Sequence, residues 1–400
     1  MRRALTLCLV ALLLVAGCAT ATPEPPPPAP PVISVHPLLD SQRARPDRGL
    51  VITSARGTLT HVEALAEGRP VPGVLDASRT SWRSRWALAP GTEYTITATA
   101  TGAGGPATVV MGRFRTRGAP HSFKVVYTTP LDGETVGVGM PIIVNFDSPV
   151  RAKAAVERAL EVTTPAAPAA VPGAWRWASD TQAVYRTERF WPARQKVLLT
   201  AHLAGVRSAP GVYGAADQTL SFTVGRKQSS TVDTRTHQMV VKRDNKVVQR
   251  MAISAGMATT REYTTTSGVH LTMDKGNPVR MVSPGREKGD PGFYDVMIDH
   301  AVRISNSGEY VHAKNNVWAQ GRQNVSHGCI NSRPDQAAWF FASSLRGDPV
   351  TITGTSRTLE WNNGWGFWQL SWEKWRLGSA AHDPAPDGAW VQQAPAPGLP

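Results

Sequence analysis

The chain has 400 residues and 41% apolar side chains, too long for one ordinary core, so two or three folded domains are expected. Its 43 Lys and Arg outnumber 30 Asp and Glu, and the formal net charge of +13 suits anionic surroundings such as acidic polymers or lipid headgroups. The basic residues are dispersed, with no Lys/Arg block and no nucleic-acid motif, so nucleic acid is not expected as a partner.

Residues 1–17 read as a signal peptide: a basic MRR, then the apolar ALTLCLVALLLVA, which is short for a spanning helix. The segment ends in Val15-Ala16-Gly17-Cys18, similar to a bacterial lipobox, in which the cysteine after Gly becomes the lipidated N-terminus. Lipidation at Cys18 would anchor the chain to the outer face of the cytoplasmic membrane. Residues 18–32 form a Pro-rich tether, extended at about 3 Å per residue, that lifts the folded part toward the cell wall.

Residues 33–118 and 119–226 each read as short alternating strands broken by Gly and Pro. Both blocks share an order: an aromatic, a Pro, then a strand ending in Thr-Ala, and a closing strand (GRFRT in one, LSFTV in the other). This pattern predicts two tandem immunoglobulin-like β-sandwiches, the second decorated by a short helix at 151–160. Residues 227–356 predict a third, β-rich unit opened by a hairpin around Asp244-Asn245. One main helix is expected there, with Ser332 as N-cap, Pro334 and Asp335 in its first turn and Gly347 after it. Residues 357–381 hold five of the chain's 13 Trp, and are expected to cap the third unit, with aromatic sugar binding as the sharper alternative. Residues 382–400, rich in Pro and Ala, are expected to be disordered. The fold class is thus mainly β.

There are three cysteines. Cys8 leaves with the signal, Cys18 is assigned to lipid, and Cys329 remains without a disulfide partner in an exported chain. An unpaired thiol outside the cell is exposed to oxidation, so keeping one calls for a chemical reason. Cys329 lies just before the expected helix, whose N-terminal partial charge would favour a thiolate. A base is needed as well. His312, at the end of a predicted strand, is assigned as general base; His327, two residues before the thiol, is assigned a supporting or oxyanion-side role. Gly328 would let its own N–H and that of residue 329 face a developing oxyanion. Asn331 would orient substrate or lock the loop. His312, His327 and Cys329 are also three conceivable zinc ligands, but no second Cys or His-x-x-x-His pair completes a site, so neither metal nor cofactor is expected.

GEYVHA, then Ser326-His327-Gly328-Cys329-Ile330-Asn331, then a helix containing WFF and an RGDPV segment, together resemble the L,D-transpeptidase (YkuD-type) domain. With a lipobox, two immunoglobulin-like domains and a Trp-rich C-terminal segment, nearly the whole mature chain is similar to the actinobacterial, mycobacterial-type enzymes. The resemblance implies attack of Cys329 on the meso-diaminopimelate carbonyl of a peptidoglycan tetrapeptide stem, release of D-alanine and a thioester. A second stem's diaminopimelate amine would then form a 3→3 cross-link. The resemblance also implies that the Ala313 carbonyl orients His312, and that Tyr294, Ser307, Gly308, Ser326 and Asn331 serve substrate binding. Carbapenem acylation is a further implication, and the chain is expected to act as a monomer. Two departures stand out: only 13 residues separate His312 from Ser326, and the lid, about 272–293, lacks a tyrosine, with Phe293 its one aromatic residue.

Rival outcomes are an L,D-carboxypeptidase at the same site, with water as acceptor, or an inactive wall-binding lipoprotein. A papain-type thiol peptidase is disfavoured because its cysteine precedes its histidine, whereas here His312 comes first.

Overall fold

The computed structural model describes residues 29–381 apart from 103, 104, 106, 165–170 and 284. The signal segment, Cys18 and the tail 382–400 lie outside the described residues. The chain is mainly β, with two sandwiches followed by a β-rich unit.

The first sandwich pairs two four-stranded sheets, one centred on Val51–Ala55 and the other on Thr58–Ala66 and Glu93–Thr101. Alternation explains the sorting: Tyr94, Ile96, Ala98 and Ala100 turn inward onto Leu50, Ile52, Trp82 and Phe114, while the residues between them face outward or sit at the margin. The second sandwich repeats the four-plus-four arrangement, with Ile142–Phe146 and Gln195–Ala201 as central strands. Its helix is shorter than the sequence suggested, Lys153–Arg158.

The third unit is built on a nine-stranded sheet. The expected hairpin joins Gln238–Arg243 to Lys246–Ser254, and both turn residues, Asp244 and Asn245, take the positive φ of a type I′ turn. Beyond Lys246–Ser254 the sheet continues with Ile330–Ser332, Tyr310–Ala313 and Ala301–Arg303. The two short strands Ile330–Ser332 and Tyr310–Ala313 run parallel, with Val311 opposite Ile330 and His312 opposite Asn331. A separate hairpin, Val279–Val282 with Asp295–Ile298, stands off this sheet.

The main helix runs Pro334–Ser343 and buries Ala337 and Phe340. Ser332 is not its N-cap: it ends the preceding strand and donates its hydroxyl to His312 O at 3.3 Å, while Arg333 occupies the cap position without a side-chain bond. The Pro at the first helical position needs no donor partner, which lets the helix start without a cap.

The Trp-rich segment does not simply cover the third unit. Trp375 is fully buried in the core of the second sandwich and donates to Ala174 O, and Trp368 donates to Gly139 O, both at 2.9 Å. Its other side holds the third unit, with Gln369 donating to Val269 O at 3.0 Å. The segment is therefore a wedge between the two, and the burial of Trp365 and Trp375 removes them from any sugar-binding surface.

Candidate active site

Register places the key side chains on one face. His312 lies opposite Asn331, and Cys329, two residues before Asn331, continues the same side of that strand. Cys329 thus sits beside Tyr310, at the open end of the parallel pair. Its Sγ is 3.6 Å from Gly308 O, and the Tyr310 N–H is hydrogen-bonded to the sulfur. Gly308 has φ +91° with open space at its Cβ position, so glycine is needed there for backbone conformation rather than for room.

His312 is buried, at 3% exposure, and its Nδ1 is 2.8 Å from Ala313 O. A carbonyl only accepts, so Nδ1 carries the proton and Nε2 keeps its lone pair. Burial pushes the imidazole down to about 4, so it is neutral at physiological pH. Burial pushes the Cys329 thiol in the other direction, up to about 12, against the favourable Tyr310 N–H. The resting pair is therefore neutral thiol and neutral imidazole. This corrects the expected thiolate: strand Ile330–Ser332 separates Cys329 from the helix, whose dipole acts only within its first turn.

Gly328 has φ +126°, a conformation reserved for glycine, and its N–H is donated to Ser326 Oγ at 3.1 Å. That N–H is thus already engaged, contrary to its expected place in an oxyanion site. The Ser326 hydroxyl in turn donates to Cys329 O at 2.6 Å, so Ser326 shapes the turn that carries the nucleophile. Ser307 is also engaged: its hydroxyl lies 3.0 Å from Ser305 Oγ and 2.9 Å from Asn363 Nδ2, in the Trp-rich segment. Asn331 is buried in the strand beside His312.

His327 points away from the sheet into an aromatic cluster, 4.5 Å from the Tyr263 ring and 5.3 Å from the Tyr294 ring, centroid to centroid. Burial and the Arg286 guanidinium hold its pKa below the ordinary histidine value. Tyr294 stands at the loop end of the Val279–Val282/Asp295–Ile298 hairpin, its carbonyl accepting from Ser283 N at 3.0 Å. Its phenol is pushed up first by burial and then by Cys329, and its ring lies beside His327 in the SHGC turn.

Several residues here carry no sequence signal of a role. Tyr263 lies outside the 272–293 window, yet it supplies the aromatic wall that window lacks. Arg286 bridges Tyr263 OH and Glu262, at 3.0 Å to the carboxylate. Thr265 Oγ1 donates to Gly328 O at 2.7 Å, and Thr266 and His270 surround Glu309. Among the described residues no group of three or more His, Cys, Asp or Glu is arranged to hold a metal ion.

The L,D-transpeptidase catalytic domain family matches residues 227–352, and the bacterial Ig domain family matches 41–207. L,D-transpeptidase 5 of Mycobacterium tuberculosis (strain ATCC 25618 / H37Rv) is 35% identical over 81% of this chain and 71% of its own length. L,D-transpeptidase 2 of Mycobacterium tuberculosis (strain CDC 1551 / Oshkosh) is 34% identical over 84% of this chain and 81% of its own. Among solved structures, that of the LD transpeptidase LdtMt1 in complex with imipenem covers 57% of this chain and 99% of its own, at 31% identity and a TM-score of 0.50. With a cysteine and a tautomer-fixed histidine on one sheet face and relatives of this extent, the chain belongs to the L,D-transpeptidase family and carries its catalytic domain.

Proposed function

We propose that this enzyme forms 3→3 cross-links between meso-diaminopimelate residues of peptidoglycan stem peptides. The observation that carries this reading is the neutral His312, its Nδ1 proton held by Ala313 O and its Nε2 free, on the same sheet face as Cys329. In the first half-reaction the Cys329 sulfur attacks the carbonyl of the third stem residue as its proton passes to His312 Nε2. The carbon–nitrogen bond to D-alanine breaks, His312 returns the proton to that amine, and a thioester remains. In the second, a diaminopimelate amine attacks the thioester, the carbon–sulfur bond breaks, and His312 moves the amine's proton to the sulfur. With the Gly328 N–H bound to Ser326, the Cys329 N–H is the amide left in this turn for the developing oxyanion. The same nucleophile would open imipenem and other carbapenems to a covalent adduct.

Incubating the protein with a disaccharide-tetrapeptide and reading products by mass spectrometry tests the reading. A cross-linked dimer with loss of D-alanine is expected, and Cys329→Ala should abolish it. Tripeptide alone would mean that water is the acceptor, and equal product from wild type and Cys329→Ala would remove the nucleophile assignment.

The enzyme's place is proposed on the lipobox and the Pro-rich tether: lipid-anchored at Cys18 on the outer face of the membrane and extending into the wall. Cys18→Ala should move the protein from the membrane fraction to the soluble one. An unchanged membrane fraction would refute the anchor.

A further inference from the structure

Behind the thiol lies a buried polar network that the reaction itself does not use. Glu309 is 4% exposed and sits between the two residues whose backbones meet the sulfur, Gly308 and Tyr310. Alternation along the strand turns its side chain to the opposite face from Tyr310. There its carboxylate accepts from Thr266 N and from Thr266 Oγ1, both at 2.7 Å. His270, fully buried, lies 2.8 Å from that hydroxyl and 3.6 Å from the carboxylate. The Glu309 backbone is fixed too, its N–H donating to Ser305 Oγ at 3.1 Å and its carbonyl accepting from Ile304 N at 2.9 Å. Despite burial, His270 and Thr266 hold the carboxyl below the usual range, so it is ionised.

The neighbouring threonine performs the matching task on the other side of the nucleophile. Thr265 Oγ1 accepts from Gly256 N at 2.9 Å and donates to Gly328 O at 2.7 Å. Two consecutive residues of one segment therefore grip the two backbone stretches that converge on Cys329: Thr265 holds Gly328, and Thr266 holds Glu309. These grips act just ahead of the parallel pairing that begins at Val311 and Ile330, and the spacing of the two stretches sets where the sulfur sits relative to His312.

We propose that Glu309 is a positioning residue of the nucleophile, its buried carboxylate clamped by Thr266 and backed by His270 to fix the 308–310 backbone against the Cys329 sulfur. The charge has a second consequence, since an anion behind the thiol disfavours thiolate in the resting enzyme and keeps the proton available for His312. The proposal rests on the reading of Cys329 as nucleophile but not on its peptidoglycan substrate.

Iodoacetamide alkylation of Cys329, followed by mass spectrometry on the full chain, reads the thiolate without any substrate. Glu309→Gln keeps the shape but removes the charge and turns one of the two acceptor oxygens held by Thr266 into a donor, which loosens the clamp. It should alkylate about threefold faster or more between pH 7 and 9. Turnover of tetrapeptide should fall about tenfold with KM unchanged, because a misplaced sulfur loses alignment rather than binding. Glu309→Asp should return the alkylation rate toward wild type. Equal alkylation in Glu309→Gln and wild type would overturn the proposal. Should Glu309→Gln fail to fold, Thr266→Val tests the clamp with the charge retained: kcat should drop and Thr266→Ser should restore it, and a wild-type kcat in Thr266→Val would overturn the proposal. Loss of tetrapeptide turnover in the wild type with the alkylation pattern intact would refute the substrate and leave the clamp standing.

Discussion

At Cys329 and His312 burial acts on two groups in opposite directions, and both shifts favour the uncharged form. The thiol rises to about 12 and the imidazole falls to about 4, so the proton is transferred only when a carbonyl is present to accept the sulfur. Acylation by tetrapeptide should then be level from about pH 5 to pH 9 and fall about tenfold per unit below about pH 4, as His312 takes up a proton. A stopped-flow profile that instead rises steeply through neutrality would indicate that a preformed thiolate is the reacting species. The same shifts enter stability. His312 binds its proton less tightly when folded than the ordinary 6.5, so stability is lost as pH falls from 6.5 to about 4, by about 3 kcal/mol. Cys329 holds its proton more tightly when folded than the ordinary 9.0, so stability is lost as pH rises from 9.0 toward 12. Denaturant midpoints should therefore peak between 6.5 and 9.0, and Cys329→Ala should remove the fall between 9.0 and 10.0, above which the buried phenols of Tyr94 and Tyr185, also raised from 10.0 to about 12, keep a fall of their own.

Which of these residues could be read from the sequence depends on the elements that carry them. His312 and Cys329 were legible because residue type and export context both bear on an unpaired thiol with a histidine at a strand end. The direction of the thiol shift was not. It depends on Ile330–Ser332 being a strand rather than the start of the helix, and a three-residue strand has no period to detect. Ser332 looked like a cap because a small hydroxyl residue precedes Pro334, and it is tertiary pairing with His312 that claims that hydroxyl instead. The long alternating strands, such as Glu93–Thr101, and the Asp244-Asn245 turn were legible because their signals are local. Thr265, Thr266 and Glu309 were not, since their partners lie 43 and 63 positions away and threonine runs are common in strands. Tyr263 carries no local signal, because the wall around His327 is assembled from separate loops rather than from the continuous 272–293 segment.

Across the whole molecule the second sandwich and the catalytic unit are joined by one apolar cluster that takes in Trp175, Val144, Leu271, Met273 and Trp375. The Arg346-Gly347-Asp348 turn adds polar contacts: Gly137 and Gly139 donate to Arg346 O and Gly347 O, and Arg346 pairs with Glu134 at 3.0 Å. The wedge is completed by Arg186, only 2% exposed, whose guanidinium lies 4.7 Å from the Trp368 ring centre and 4.9 Å from that of Trp375. Burial draws that guanidinium down to about 10, still protonated at physiological pH, so the aromatic faces and the carbonyl of Leu370 at 2.9 Å take over from water. This arrangement makes the two units one cooperative block, with Trp375 as the fully buried indole of the wedge. Trp375→Ala should cost about 4 kcal/mol, the range for deleting a buried indole. It should also split unfolding into two calorimetric transitions, because the catalytic sheet retains its own core around Met239, Ile253, Val311 and Phe340. A single, unshifted transition in Trp375→Ala would mean that the wedge does not couple the units. Two transitions with the lower one tracking loss of Cys329 acylation would show that the second sandwich acts as the catalytic unit's structural support.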